Sequence, residues 1–122
     1  MQTIHAAFNR HGELFTFDAD MEWDFGAPWY RPTRLNHVPL GGEFGWRSGW
    51  AKWPEYYIDS LPATLDIGPG SPTGVVYYDH TAFPERLQKT LFIGDWATGQ
   101  IHAVKLQRDG ATYKAKLSTF VK

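Results

Sequence analysis

The chain has 122 residues, with 6 Trp, 6 Tyr and 8 Phe beside 12 Gly and 8 Pro, so aromatic and turn-forming residues make up about a third of it. That composition argues against a helical bundle and against disorder, which goes with few aromatics and a large net charge. The length allows one domain with a modest core, and 12 basic against 13 acidic residues leave a formal charge of -1, with no global field to draw nucleic acid or an anionic membrane. Cysteine is absent, which removes disulfides, thiolate nucleophiles, Cys-ligated zinc and a covalently attached c-type haem from this chain. No apolar run approaches the roughly 20 residues that span a bilayer. The stretch Met1 to Phe8 lacks the charged start and long apolar run of a signal peptide.

In chain order, a short apolar stretch at Ala6-Ala7-Phe8 leads through the turn Asn9-Arg10-His11-Gly12 into a strand at Glu13 to Phe17. From Asp18 to Arg31 the pattern turns acidic and aromatic, and Pro28 and Pro32 prevent long regular structure. Leu35 to Leu40 predicts another strand, ended by Gly41-Gly42. Glu43 to Pro54, rich in Trp and Gly, reads as strand followed by loop, and Pro62 to Pro72 as a loop around a short strand. Gly74 to Tyr78 predicts a strand, Phe83 to Leu87 at best one helical turn, and Leu91 to Ile93, Ile101 to Leu106 and Tyr113 to Val121 three more strands. Asp109-Gly110 reads as a hairpin turn in which both residues take positive φ. These last strands form a four-strand antiparallel meander.

A weak internal repeat, offset by 77 residues from Leu14 to Leu91, relates Ala7-Phe8, Leu14-Phe15, Asp18 and Leu35 to Leu40 to Val76-Tyr77, Leu91-Phe92, Asp95 and Ile101 to Leu106. The fold class is therefore all-β, built of antiparallel four-stranded meanders, with 1–67 expected as a unit lacking its opening portion and 68–122 as a more complete one. Two such meanders leave sheet edges open and an apolar face uncovered, which suits a piece of a larger ring of sheets.

The sharpest cluster of chemistry is Asp18-Ala19-Asp20-Met21-Glu22-Trp23-Asp24. In extended backbone its carboxylates share one side and repel, to be met by a Ca²⁺-like ion held by Asp18 and Asp20, by pairing with Arg31, Arg34 and Arg47, or by plain solvation. An EF-hand loop is excluded, because Trp23 and Trp29 stand where Gly and Glu are required. Pro28 to Arg34 and Gly42 to Arg47, including Trp46, interleave aromatics with arginine, a surface suited to a sugar or flat cofactor, or simply to packing between sheets. His37, beside the acidic segment, is the one histidine placed as a proton carrier. Asp95-Trp96 ends a strand at the position equivalent to Asp18, where Asp95 either points to the same rim or caps the turn Ala97 to Gly99.

The runs Phe8-Asn9 with Gly12 to Phe15, Gly41 to Trp46, Ser71 to Gly74 and Leu91 to Trp96 with Gly99-Gln100-Ile101 resemble the glucose/sorbosone dehydrogenase-like six-bladed β-propellers. The run Gly12 to Gly49 is closer still to the propeller domains of exported bacterial membrane-bound dehydrogenases, often joined to a c-type haem domain. The resemblance implies about two blades of a periplasmic or secreted oxidoreductase acting on a sugar or alcohol, with quinone (PQQ) and Ca²⁺ as cofactors and haem outside this chain. It also places Ala97 where the quinoprotein members carry a quinone-contacting lysine, and Asp66 and Gly68 near positions of larger residues beside the cofactor. The family's catalytic histidine belongs to earlier blades. Two readings follow: an oxidoreductase-type propeller piece with Asp18, Asp20, Arg31, Arg34, Arg47 and His37 on one rim, or a noncatalytic segment for carbohydrate or protein binding and scaffolding.

Overall fold

Segments that alternate apolar and polar residues bury one side when they pair edge to edge, because successive strand side chains point to opposite faces. The computed structural model describes residues 5–20, 29–46 and 52–122. In these residues the alternating segments form β1 (His5–Phe8), β2 (Leu14–Asp18), β3 (Thr33–Val38), β4 (Leu65–Gly68), β5 (Pro72–Tyr78), β6 (Thr90–Asp95), β7 (Gln100–Asp109) and β8 (Thr112–Val121). They make two four-stranded antiparallel sheets in the order β1-β2-β3-β4 and β5-β6-β7-β8. The architecture is that of about two propeller blades, and the repeat seen in the sequence maps β1, β2 and β3 onto β5, β6 and β7.

The sheets pack face to face. Phe15, Phe17 and Leu35 of the first sheet meet Val75, Leu91, Ile93, Val104 and Tyr113 of the second in one buried cluster, with Ala7, Tyr77 and Leu106 against it. Phe15 meets the Tyr113 ring edge-on with centroids 5.3 Å apart. The first strands lie side by side across the seam, β1 and β2 against β5.

The structure departs from the sequence reading in several places. The first sheet has four strands, opening on the four-residue β1. β3 begins two residues before the expected Leu35, because Thr33 and Arg34 pair with Gly68 and Asp66 of β4. Between Glu43 and Pro54 the described residues hold only the isolated bridge of Trp46 with Lys52. The β7–β8 turn is Gly110-Ala111, since Asp109 pairs with Thr112 as the last strand residue and Gly110 alone takes positive φ, at 62°. A Gly at the first position of a two-residue loop matches the right-handed strand twist. The turn expected over Phe83 to Leu87 is a single 3₁₀ turn at Glu85–Leu87, preceded by Pro84.

Phe15 is fully buried between the sheets, whereas Phe120 on the far face of the second sheet is 38% exposed. Phe15→Ala is expected to lower stability by about 3–5 kcal/mol in urea unfolding, and Phe120→Ala by markedly less.

Candidate functional site

The far face of the first sheet is polar where β2 ends. Asp18 pairs with Arg34 across the β2–β3 ladder, and Asn36 stands two residues along the same face. The Asp18 Oδ2 atom accepts from Asn36 Nδ2 at 2.8 Å and Trp46 Nε1 at 2.9 Å, with Arg34 Nη2 at 3.6 Å. One carboxylate oxygen thus gathers three donors from a strand and a loop.

The β3–β4 connection covers this face. Arg34 Nη2 donates to the Phe44 carbonyl, and Lys52 donates to the Ala19 carbonyl while its ammonium lies 4.2 Å from the Trp46 ring centroid. The β2–β3 connection is pinned to it in turn: Trp29 Nε1 donates to the Lys52 carbonyl at 3.0 Å and Arg31 Nη1 to the Trp53 carbonyl at 2.5 Å. Tyr30 donates to Asp20 at 3.0 Å, and Arg31 Nε lies 3.9 Å from Glu55. A cavity of about 390 Å³ opens beside Arg31, lined also by Glu55, Ser60, Leu61, Pro62, Ala63 and Asp66.

Arg31, Arg34 and Lys52 are each at most 2% exposed, against the buried carboxylates of Asp18 and Asp20. Three buried cations beside two carboxylates favour loss of a proton from the most acidic cation among them. Burial, reinforced by Arg34, lowers the Lys52 ammonium to about 8. Burial also lowers the Arg34 guanidinium, with Arg31 adding to it and Asp18 opposing. Burial, and then the bond to Asp20, pushes the Tyr30 hydroxyl up to about 12, so it stays a donor. Asp20 Oδ1, Arg31 Nε and Arg34 Nε and Nη1 are buried without a hydrogen-bond partner among the described residues.

The residues singled out from sequence do not share one rim. Asp18, Asp20, Arg31, Arg34 and Trp46 come together as described. Arg47, Glu22 and Asp24 lie outside the described residues. His37 projects from the opposite face of β3, toward the second sheet, three ladder positions from Arg34, or about 10 Å along the strand. Its ring stacks on Phe15 at 5.2 Å, Nε2 bonds Glu13 at 2.9 Å and Nδ1 meets the Thr112 hydroxyl at 3.1 Å. The bond to His37 lowers the Glu13 carboxyl below its ordinary value. Asp95 accepts from the main-chain N–H groups of Ser71, Ala97 and Thr98 at 2.8, 3.0 and 3.4 Å, so it caps its turn and also holds the β4–β5 connection. A Cβ on Gly70 would stand 2.3 Å from Asp95 Oδ2, which is why that connection passes here only as glycine. Trp96 is 78% exposed beside it. His102 of β7 is buried with Nδ1 unpartnered among the described residues.

Lys52 and Asn9 escaped the sequence reading. Lys52 stands in a Trp-rich segment, and the readable signal is the neighbouring Trp53-Pro54, which keeps it from a regular strand. The signal for Asn9 is its place at the head of the tight turn to Gly12.

The donor set at Asp18 does not fit a calcium ion, because N–H donors and a guanidinium already surround its Oδ2 atom. Among the described residues no group of three or more His, Asp or Glu stands together. Ala97 and Gly68 supply neither a cation nor a ring to a quinone, so these positions do not fit that cofactor either. Among the described residues no helix is long and apolar enough to cross a membrane.

Neither a protein-family profile nor a curated protein sequence matches this chain. Among solved structures, the chain is similar to a Thermus thermophilus protein provisionally named an oxidoreductase (glucose dehydrogenase), with TM-score 0.71 and 14% identity over 97% of this chain. The chain spans 32% of that protein's length. At this identity the likeness is one of fold.

Between pH 8 and pH 10 the unfolded chain keeps the Lys52 proton that the folded chain has released. Stability contributed by this group therefore rises with pH across that window and is absent below it. Lys52→Met is expected to flatten the rise in unfolding free energy between pH 8 and pH 10, measured by urea titration against the unmodified chain.

Proposed function

We propose that this chain is about two blades of a larger oxidoreductase-type propeller, in which the Asp18, Arg34 and Lys52 network shapes and stiffens a polar wall. The observation that carries the reading is the register of the two sheets. In the first, Ala7 stands opposite Phe15 and Phe15 opposite His37, and that face packs on the second sheet. At the repeat-related positions of the second, Val76 stands opposite Phe92 and Phe92 opposite Ala103. This corresponding face is open, with Val76 62%, Ile101 40% and Phe120 38% exposed. Sheets that pack head to tail close only by going round a ring.

On this reading a further sheet covers the Phe92 face. Oxidation of a sugar or alcohol, export to the periplasm or medium, and electron transfer to a c-type haem domain outside these residues follow from the resemblance to the glucose/sorbosone dehydrogenase-like proteins. A second reading, a noncatalytic segment for carbohydrate or protein binding, is favoured by the Asp18 carboxylate, whose Oδ2 atom is taken up by internal donors.

The test uses the longest polypeptide encoded by the gene, assayed for bound redox cofactor, for dye-linked oxidation of a sugar and alcohol panel, and for recovery from periplasm or medium. Turnover by that polypeptide, with none from residues 1–122 alone, is the expected result. Absence of both cofactor and turnover across the panel would leave the scaffolding reading.

A further inference from the structure

At the end of the seam opposite Asp18 and Asp95 lies a cleft of about 310 Å³ between the sheets, at the small end of the range for ligand pockets. Arg10 and His11 enter it from the β1–β2 turn, Lys89 from the β5–β6 connection, Arg108 from the end of β7, and the Tyr77 and Tyr113 rings from β5 and β8. Among the described residues no carboxylate lines it.

The cleft is built. Asn9 is buried and its Oδ1 accepts from the main-chain N–H groups of His11 and Glu13 at 2.9 and 3.0 Å, while its amide donates to the Tyr113 hydroxyl at 3.1 Å. The turn bearing Arg10 and His11 is thereby tied across the seam to the second sheet. The Tyr113 oxygen therefore accepts from Asn9, which leaves its proton for a further acceptor. Burial, and then Asp79, pushes the Tyr77 hydroxyl above its ordinary range, which keeps its proton in place at neutral pH.

The carboxylates nearest the cleft are weakly engaged with it. Arg10 lies 3.8 Å from Asp79 and Arg108 3.9 Å from Glu13, beyond hydrogen-bond distance and partly exposed, and Glu13 is already bonded to His37. Such pairs contribute little and yield readily to a better acceptor. Lys89 has no ion pair among the described residues, and it is their one non-glycine with positive φ, at 52°. Left-handed backbone at a non-glycine residue costs energy and persists where the surroundings hold it. It fixes the Lys89 main chain at the mouth of a cleft lined by cations and hydroxyl donors.

We propose that this cleft binds a multiply charged oxyanion such as a phosphate monoester, held by Arg10, Lys89 and Arg108 with the Tyr77 and Tyr113 hydroxyls donating to it. Guanidinium groups form paired charge-assisted bonds to phosphate oxygens, and fixed hydroxyl donors add direction. The site is independent of any redox role, since it lies at the other end of the strands.

The test is titration of the chain with inorganic phosphate at constant ionic strength, followed by amide NMR shifts and calorimetry, with sulfate and acetate as comparison arms. Saturable one-to-one binding is expected, with shifts centred on Arg10, His11, Lys89 and Arg108, and acetate weakest. Arg10→Gln and Lys89→Gln should each weaken phosphate about tenfold or more, and Lys116→Gln, on the exposed side of β8, should leave it unchanged. Lys89→Gly removes the cation at a backbone angle that glycine prefers, so weaker phosphate binding in a variant that melts no lower than the parent is loss of a ligand contact. Non-saturable shifts, or equal weakening by Lys116→Gln, would overturn the proposal.

Discussion

The face of Phe15, Phe17 and Leu35 laid on that of Leu91, Ile93 and Val104 is the contact on which the rest of the molecule depends. A four-stranded sheet alone has two faces to cover and too little material to cover either, so each sheet takes its core from its neighbour. The contact also sets polarity. Because successive strand residues alternate, the Phe15 face of the first sheet and the Leu91 face of the second lie on opposite sides of repeat-related strands. The seam between the sheets places the Arg10 turn against Tyr77 and Tyr113, and so produces the basic cleft as a by-product of core packing.

The first sheet meets the problem of its remaining face with polar groups and long connections. Arg34 and Asn36 are almost wholly buried there, which is tolerable only because Asp18, the Phe44 carbonyl and the two loops return hydrogen bonds to them. Lys52 is the most acidic cation in that cluster, and its proton is the one the cluster gives up. Asp95 sits at the matching place in the second sheet and does a different task, holding three main-chain N–H groups and a close pass of Gly70. One repeat position thus serves a side-chain network in one blade and a turn in the other. The difference follows from the loops: 14 residues separate β2 from β3, but only four separate β6 from β7.

The period-two runs at Phe15, Leu91, Ile101 and Tyr113 made the all-β class and the sheet order legible in the sequence, since burial of one face leaves a direct mark on alternation. Asp18 and Arg34 were legible as partners because like charges in a row demand a counter-ion. The place of His37 was not. Its neighbourhood in sequence is the acidic rim, but parity along β3 turns it to the core, and only the register with β2 decides that parity. Lys52 was hidden for a similar reason, because its surroundings come from Ala19, Trp29 and Trp46, brought together by two irregular loops. The Asp109-Gly110 turn slipped by one residue because pairing of Asp109 with Thr112 leaves the loop to Gly110 and Ala111.

The second sheet's outer face carries the same logic outward. Phe83 from the β5–β6 connection reaches over one part of it, with ring centroids 4.6 Å from Tyr78 and 6.1 Å from Phe120, while Val76 and Ile101 remain open. On the proposed reading this face receives another sheet head to tail. Sedimentation of the chain over a wide concentration range, beside Val76→Lys, tests it most directly. The account predicts reversible self-association that Val76→Lys abolishes without lowering the melting temperature. A chain that stays monomeric at every concentration and melts in one cooperative step, with or without the lysine, would contradict it.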